Sequence, residues 1–227
     1  MHVAQLWRYP VKSMAGEQLQ EATLTPLGIA GDRILHVEGP EGDLRTARRY
    51  PRLLGHHAVL AGVDVLVDGE RWDDPSVRAA VEQAAGRGAA LVPSAGPERF
   101  DVLPLLVTSD GALAELGHEP RRYRPNLVIG GVPGLAERQW EGRVLAIGTA
   151  RIQLADLRGR CVMTTWHPDT LEQDVGVLRD VVRRFNGTFG LNAAVRQGGA
   201  IRVGDPVTLL PAPADGPPPL DGGRPGP

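Results

Sequence analysis

The chain has 227 residues, 42% hydrophobic and 23% charged, enough apolar material for one large core or two modest ones. Its formal net charge of −2 excludes a global field for nucleic acid or an anionic membrane, so any anion site must be built from local arginine clusters. The single cysteine, Cys161, excludes an intrachain disulfide framework, an all-cysteine zinc site and a protein-bound iron–sulfur cluster. MHVAQLWRYP at the start lacks an apolar stretch followed by a small-residue cleavage site, and no later run reaches about eighteen apolar residues. The expectation is a soluble, cytoplasmic protein without an internal electron relay.

From Val3 to Leu66, short apolar or alternating runs separated by YPVKS, TPLGIAGDR, EGPEGD and AGVD predict strands. LGHHAVLAGVDVLVDGE predicts two strands around a turn at Gly62, and PSVRAAVEQAAGRG a helix with Ser76 as its cap. LVPSAGPERF marks a join near residue 95. Beyond it, DVLPLLVTSDGALAEL runs from a strand into a helix with Thr108, Ser109 and Asp110 as cap candidates, and YRPNLVIGG returns to a strand. WEGRVLAIGTARIQLADL supplies two strands around Gly148, and LEQDVGVLRDVVRRFN a helix with Val175, Leu178, Val181, Val182 and Phe185 at helical spacing. GGAIRVGDPVTLL closes the domain with further strands. The segment 211–227 is dominated by proline and glycine and reads as a disordered tail. No repeat of about 20 to 50 residues is visible, and the helices are too few for a doubly wound α/β fold.

Several motifs have a plain structural reading. GGVPG lacks the spacing of a dinucleotide loop, His56 and His57 point to opposite faces of a strand, and NGT at Asn186 reads as a helix-ending turn. Cys161 has two readings: a small buried apolar side chain, or a thiolate favoured by Arg158 and Arg160. Cys161 with His167 is also conceivable as a nucleophile and base, although six residues is not a diagnostic spacing. Lys12, Ser13, Arg33, Thr46, Arg48 and Arg124 stand in turn-like segments, and Thr108 and Ser109 at a helix N-terminus would add N–H donors. Together they are the parts of an oxyanion or phosphate pocket.

These blocks, in order, resemble the MOSC superfamily of molybdenum-cofactor proteins over residues 3–210. LWRYPVKSMAG, GDR and TARRYPRLL are similar to the β-barrel domain preceding MOSC in the mitochondrial amidoxime-reducing components and bacterial relatives. LLVTSDGALAEL, RRYRPNLVI, RGRCVMTTWHPDT and IRVGDPVTLL are similar to the MOSC domain itself. The fold class implied is mixed β-rich α+β: a MOSC-type β-barrel with peripheral helices over 96–210, preceded by a β-rich MOSC N-terminal domain over 1–95.

The resemblance further implies a molybdenum-pterin cofactor in its molybdopterin form, the presence of a nucleotide extension being open. Cys161 would be the catalytic metal ligand, with Lys12, Ser13, Arg33, Thr108, Ser109, Arg124, Arg158 and Arg160 around the cofactor in a cleft between the halves. Pyridoxal phosphate binding attaches to the resemblance as a superfamily-level term only. Pro125 is expected to hold Arg124 in extended backbone, and Asn126 to close a turn. The activity implied is reduction of small N-hydroxylated compounds. Its electrons would come from a separate ferredoxin- or cytochrome b5-like carrier with a flavin reductase, since some bacterial members carry their own ferredoxin domain and this sequence has no cysteine to spare. The alternative is a cofactor or sulfur carrier holding a persulfide on Cys161.

Overall fold

A computed structural model describes residues 1–213. The expectation of a disordered tail falls mainly on 214–227, outside the described residues. The first half contributes β1 (His2–Arg8), β2 (Glu17–Leu19), β3 (Glu21–Thr25), β4 (Gly28–Ile29), β5 (Leu35–Glu38), β6 (Leu44–Arg45), β7 (Ala58–Ala61), β8 (Asp64–Val67), β9 (Glu70–Arg71), α1 (Pro75–Ala85) and β10 (Ala90–Pro93). The second half contributes β11 (Leu105–Ser109), α2 (Asp110–Leu116), β12 (Leu127–Gly130), β13 (Val144–Ile147), β14 (Ala150–Gly159), α3 (Val175–Phe185), β15 (Thr188–Gln197), β16 (Gly199–Arg202) and β17 (Val207–Leu210).

An eight-stranded mixed sheet, ordered β17-β13-β14-β15-β11-β12-β1-β2, dominates the architecture, and only β11 and β12 run parallel in it. The chain around Asp205 returns to β1: Val3 N–H donates to Asp205 O at 2.9 Å and Val207 N–H to Met1 O at 3.0 Å. The sheet therefore curls back on itself, the start of β17 meeting the start of β1 through an isolated bridge of His2 to Pro206. The protein is β-rich, as its composition of short strands and glycine turns dictates.

The join near residue 95 does not divide the cores. Val3, Leu6, Leu24 and Ile29 are buried together with Leu105, Leu127, Ile152, Leu191 and Ile201 in the barrel core. The register explains it: β1 pairs with β12 and β3 with β16, so the first thirty or so residues fill the barrel of the second half. A second core, around Val11, Met14, Leu53, Val65 and Val81, lies within the first half, yet Met163 and Trp166 of the second half pack on it. The cleft between the halves is thus crossed by chain in both directions.

Three local expectations need correction. Asp74, not Ser76, caps α1, its carboxylate accepting the Ser76 N–H at 2.8 Å. Arg124 is left-handed at φ 53°, not extended: it ends the turn Pro120–Tyr123, and its N–H donates to Arg121 O at 3.1 Å. The apolar spacing on α3 is two stripes rather than one. Val177, Val181 and Phe185 face the interior, where they meet Tyr123 and Phe189, whereas Val175 and Val182 are exposed. The turns at Gly62 and Gly148 and the left-handed cap at Asn186 lie where the sequence puts them.

Candidate functional site

β14 runs antiparallel to β15, and Arg160 N–H extends the ladder with a bond to Gly187 O at 2.9 Å. The pairing is irregular between Leu154 and Gly159, and Asp156, Arg158 and Arg160, at alternate positions, all line one cavity. Cys161 follows after Arg160 in extended backbone at φ −129°, before the short 3-10 turn Val162–Thr165. Its carbonyl accepts from Thr164 N–H at 3.1 Å and Thr164 Oγ1 at 2.9 Å, which fixes the backbone and leaves the half-buried thiol on the cavity wall.

The opposite wall is made of loops. Tyr9 N–H donates to the fully buried Asp32 at 2.7 Å, Asn126 Nδ2 donates to the other oxygen of that carboxylate at 3.3 Å, and Arg33 is ion-paired to it. Asp32 therefore ties β1, the turn before β5 and the start of β12 together. Ser13 and Arg33 project from left-handed backbone at φ 73° and 52°, conformations that persist only where surrounding bonds over-determine them. Ser13 Oγ accepts the Ala47 N–H at 3.0 Å. Arg124 lies over the Tyr9 ring at 4.2 Å and donates to Met14 O at 2.7 Å.

The cavity holds about 310 Å³ and is lined by seven cationic side chains against two carboxylates, Asp101 and Asp156. Asp101 binds three of the cations: Lys12 Nζ at 2.7 Å, Arg48 at 2.9 Å and Arg158 at 3.4 Å. Burial opposes its charge, but Lys12 first, then Arg48 and Arg158, hold its carboxyl down at about 2. Burial pushes Arg160 down to about 10, with Arg158 adding repulsion and Cys161 opposing. It pushes Arg124 down to about 10 as well, with Tyr9 opposing. Arg160 donates to Tyr123 O at 2.7 Å, yet its buried Nε has no hydrogen-bond partner among the described residues. Seven cations against two carboxylates leave an excess of positive charge that suits an anionic ligand.

Of the nine residues singled out from sequence, the structure brings seven to this cavity: Lys12, Ser13, Arg33, Arg124, Arg158, Arg160 and Cys161. Thr108 and Ser109 are the correction, because neither lines it. Ser109 is buried and caps α2, accepting the Ala112 N–H at 3.1 Å and donating to Glu137 at 2.9 Å. Thr108 is buried within β11. Their helix is seven residues long, so its first turn is consumed by its own cap. Asn126 is more than a turn, because its Oδ1 also accepts the Leu106 N–H at 3.1 Å. Sequence reasoning missed Asp32 and Asp101; the first stood in plain view beside Arg33 in GDR. His167 is not in the cavity, and its Nδ1 accepts from Asp169 N–H and Thr170 N–H, so it is no base for Cys161.

A β-rich barrel whose cleft carries one cysteine among arginines defines a class, and comparison gives the family. The model of the MOSC N-terminal beta barrel domain matches residues 1–95 and that of the MOSC domain residues 108–208. The chain belongs to the MOSC family. It is 27% identical to human mitochondrial amidoxime-reducing component 1, the match covering 92% of this chain and 82% of that protein. It is 24% identical to human mitochondrial amidoxime reducing component 2, over 90% and 82%. The YUAD protein of Bacillus subtilis has a similar fold, with a TM-score of 0.51 at 16% identity, covering 92% of this chain and 94% of that one.

The residues present fit a molybdenum-pterin cofactor. Among the described residues no three His, Cys, Asp or Glu side chains are grouped to hold a metal, and a metal held through Cys161 would take its other ligands from a cofactor. The orphaned Arg160 Nε and the cation excess suit an anionic pterin phosphate and a coordinated thiolate. None of the described helices is long and apolar enough to cross a membrane.

Proposed function

We propose that this protein is a molybdenum-cofactor oxidoreductase that reduces N-hydroxylated compounds with electrons from a separate carrier protein. The observation that carries the reading is the cleft itself, where Cys161 stands beside Arg158 and Arg160 and faces Lys12, Ser13, Arg33 and Arg124. The family and the named activity of the amidoxime-reducing relatives support it.

Cys161 would be the protein's ligand to the metal, and the arginines and Lys12 would hold the pterin and its phosphate. When bound, the molybdenum and its dithiolene supply two-electron chemistry at a position open to substrate. The protein's own contribution is charge and shape. Arg158 and Arg160 would offset the charge of a metal-bound sulfur at Cys161, while Asp32 keeps Arg33 and Tyr9 in place without entering the cavity. A second chamber of about 510 Å³ adjoins the first, sharing Arg122, Arg124 and Met163 and adding Trp7, Tyr9 and Trp166. Its aromatic walls suit a flat heterocycle. In the reaction the N–O bond breaks, two electrons and two protons are consumed, and the amine and one water leave.

Protein purified from a host competent in cofactor synthesis should contain near-stoichiometric molybdenum and reduce a hydroxylaminopurine with reduced methyl viologen. Cys161→Ser should lower both metal content and turnover by more than about 100-fold, since even supporting residues around a metal are worth 10 to 100-fold. Metal-free protein from such a host, or a one-sulfur mass increase on Cys161 in place of molybdenum, overturns the reading, the latter in favour of a sulfur carrier.

A further inference from the structure

The described surface exposes eight large apolar side chains, most of them scattered. Three of them, Val162, Val175 and Val182, at 37%, 45% and 56% exposure, meet in one groove with Leu178, Arg179 and Arg183. The helical repeat explains how. Val175, Leu178, Arg179, Val182 and Arg183 fall at i, i+3, i+4, i+7 and i+8, one continuous stripe of α3. A surface helix needs a single apolar stripe to dock on its protein, and Val177, Val181 and Phe185 already provide it. The second stripe is surplus to folding, and an apolar groove of about 380 Å³ rimmed by charge marks an interaction surface.

Its position and charge indicate the occupant. Val162 is the residue after Cys161, about 3.8 Å away along the backbone from Cα to Cα, so the groove lies over the segment bearing the thiol. The thiol lines the cleft on one side of that segment while Val162 and Thr165 line the groove on the other. The rim is cationic: Arg179 is exposed and makes no ion pair among the described residues. Arg183 is paired only to Asp180, which also meets His118 at 3.1 Å. A small apolar centre with a cationic rim fits a transient complex with an acidic partner, in which charge steers the encounter and the interface stays small.

We infer that the outer face of α3 together with Val162 is the docking surface for a small acidic one-electron carrier protein that delivers electrons to the centre at Cys161. The inference rests on the proposed function. Two reduced carriers would dock in succession, each losing one electron, which together supply the pair consumed at the N–O bond.

The test compares donors on the molybdenum-loaded protein. One arm uses reduced methyl viologen. The other uses a plant-type ferredoxin with its flavin-dependent reductase and, separately, a soluble cytochrome b5 domain with its own reductase. Val182→Glu and the double variant Arg179→Glu/Arg183→Glu should lower carrier-driven kcat/KM by roughly tenfold or more with at least one carrier, leaving viologen-driven turnover within about twofold. In the wild type, carrier-driven rates should fall steeply with salt, and in the double variant they should not. Full rates in both variants, or turnover with viologen but with neither carrier, overturn the docking surface while leaving the function standing. No turnover with viologen overturns the function and the docking surface with it. A wild-type dimer that Val182→Glu converts to monomer by light scattering assigns the groove to a second copy and equally overturns the inference.

Discussion

The two walls of the cleft are built by different means. Asp156 and Arg158 leave the irregular end of β14 and Arg160 the residue just past it, where the Arg160 N–H bond to Gly187 O continues the pairing. Ser13, Arg33 and Arg124 leave turns in left-handed backbone, each at a position where a non-glycine residue is strained. The strand wall is secured by many ladder bonds along β14. The loop wall converges on one buried carboxylate, Asp32, which binds Tyr9 N–H, Asn126 and Arg33. Cations on the strand wall should therefore be individually replaceable, whereas the loop wall should stand or fall together.

The largest expected effect tests that contrast. Asp32→Ala removes a carboxylate with no exposed surface, taking the acceptor from the Tyr9 N–H and the cationic Arg33, while Asn126 keeps its bond to Trp7 O. It should cost about 3 to 5 kcal/mol of stability in guanidinium denaturation. Arg158→Ala removes a half-buried cation whose partners Asp101 and Asn192 keep other bonds, and should cost no more than about 1 kcal/mol. Equal losses would break the comparison.

The same contrast explains what was legible in the sequence. Gly62, Gly148 and Asn186 announce turns through chemistry confined to a few residues, and the structure has them there. The strand wall was visible because Arg158 and Arg160 stand two apart beside the lone cysteine. Asp101 was not, because its partner Arg158 stands 57 residues away; Asp32 stood beside Arg33, but its role as a hub was hidden because Asn126 stands 94 residues away. Thr108 and Ser109 misled for the opposite reason, since a side chain that caps its own helix and one that helps bind an anion look alike in sequence. The two stripes of α3 could not be separated because Val181 and Val182 both satisfy the helical period. Nor does any local signal tell that β1 and β3 complete a barrel made mostly by the second half.

An intermediate effect concerns Asp101, the carboxylate that bridges the walls by binding Lys12, Arg48 and Arg158. Its folded value of about 2 lies below the ordinary 3.8, so its contribution to stability is complete above pH ~4 and is lost as pH falls toward 2. Asp101→Asn removes that contribution at every pH. Wild type and variant should differ in melting temperature at pH 6 and converge only below about pH 2. The variant should also bind inorganic phosphate several-fold more tightly in cofactor-free protein, because three cations lose their internal counter-ion. Unchanged phosphate affinity would mean that Asp101 does not occupy the place of a ligand anion.

The smallest effect tests the separation of fold from site at α2. Ser109→Ala removes the cap that accepts Ala112 N–H, worth about 1 kcal/mol, and takes the Ser109 donor from the buried Glu137. Burial already raises Glu137 above the usual carboxylate range, and the Ser109 hydrogen bond is the chief opposing influence. Losing it moves the folded value further up. A carboxyl raised on folding weakens the protein as pH climbs from the unfolded value through the folded one, so the variant's deficit should be larger at pH 7 than at pH 4. Molybdenum content should stay at the wild-type level, because Ser109 contributes no atom to the cleft. A fall in metal content with stability unchanged would return Ser109 to the cofactor and remove the distinction between a helix that merely abuts the site and the strand and loops that form it.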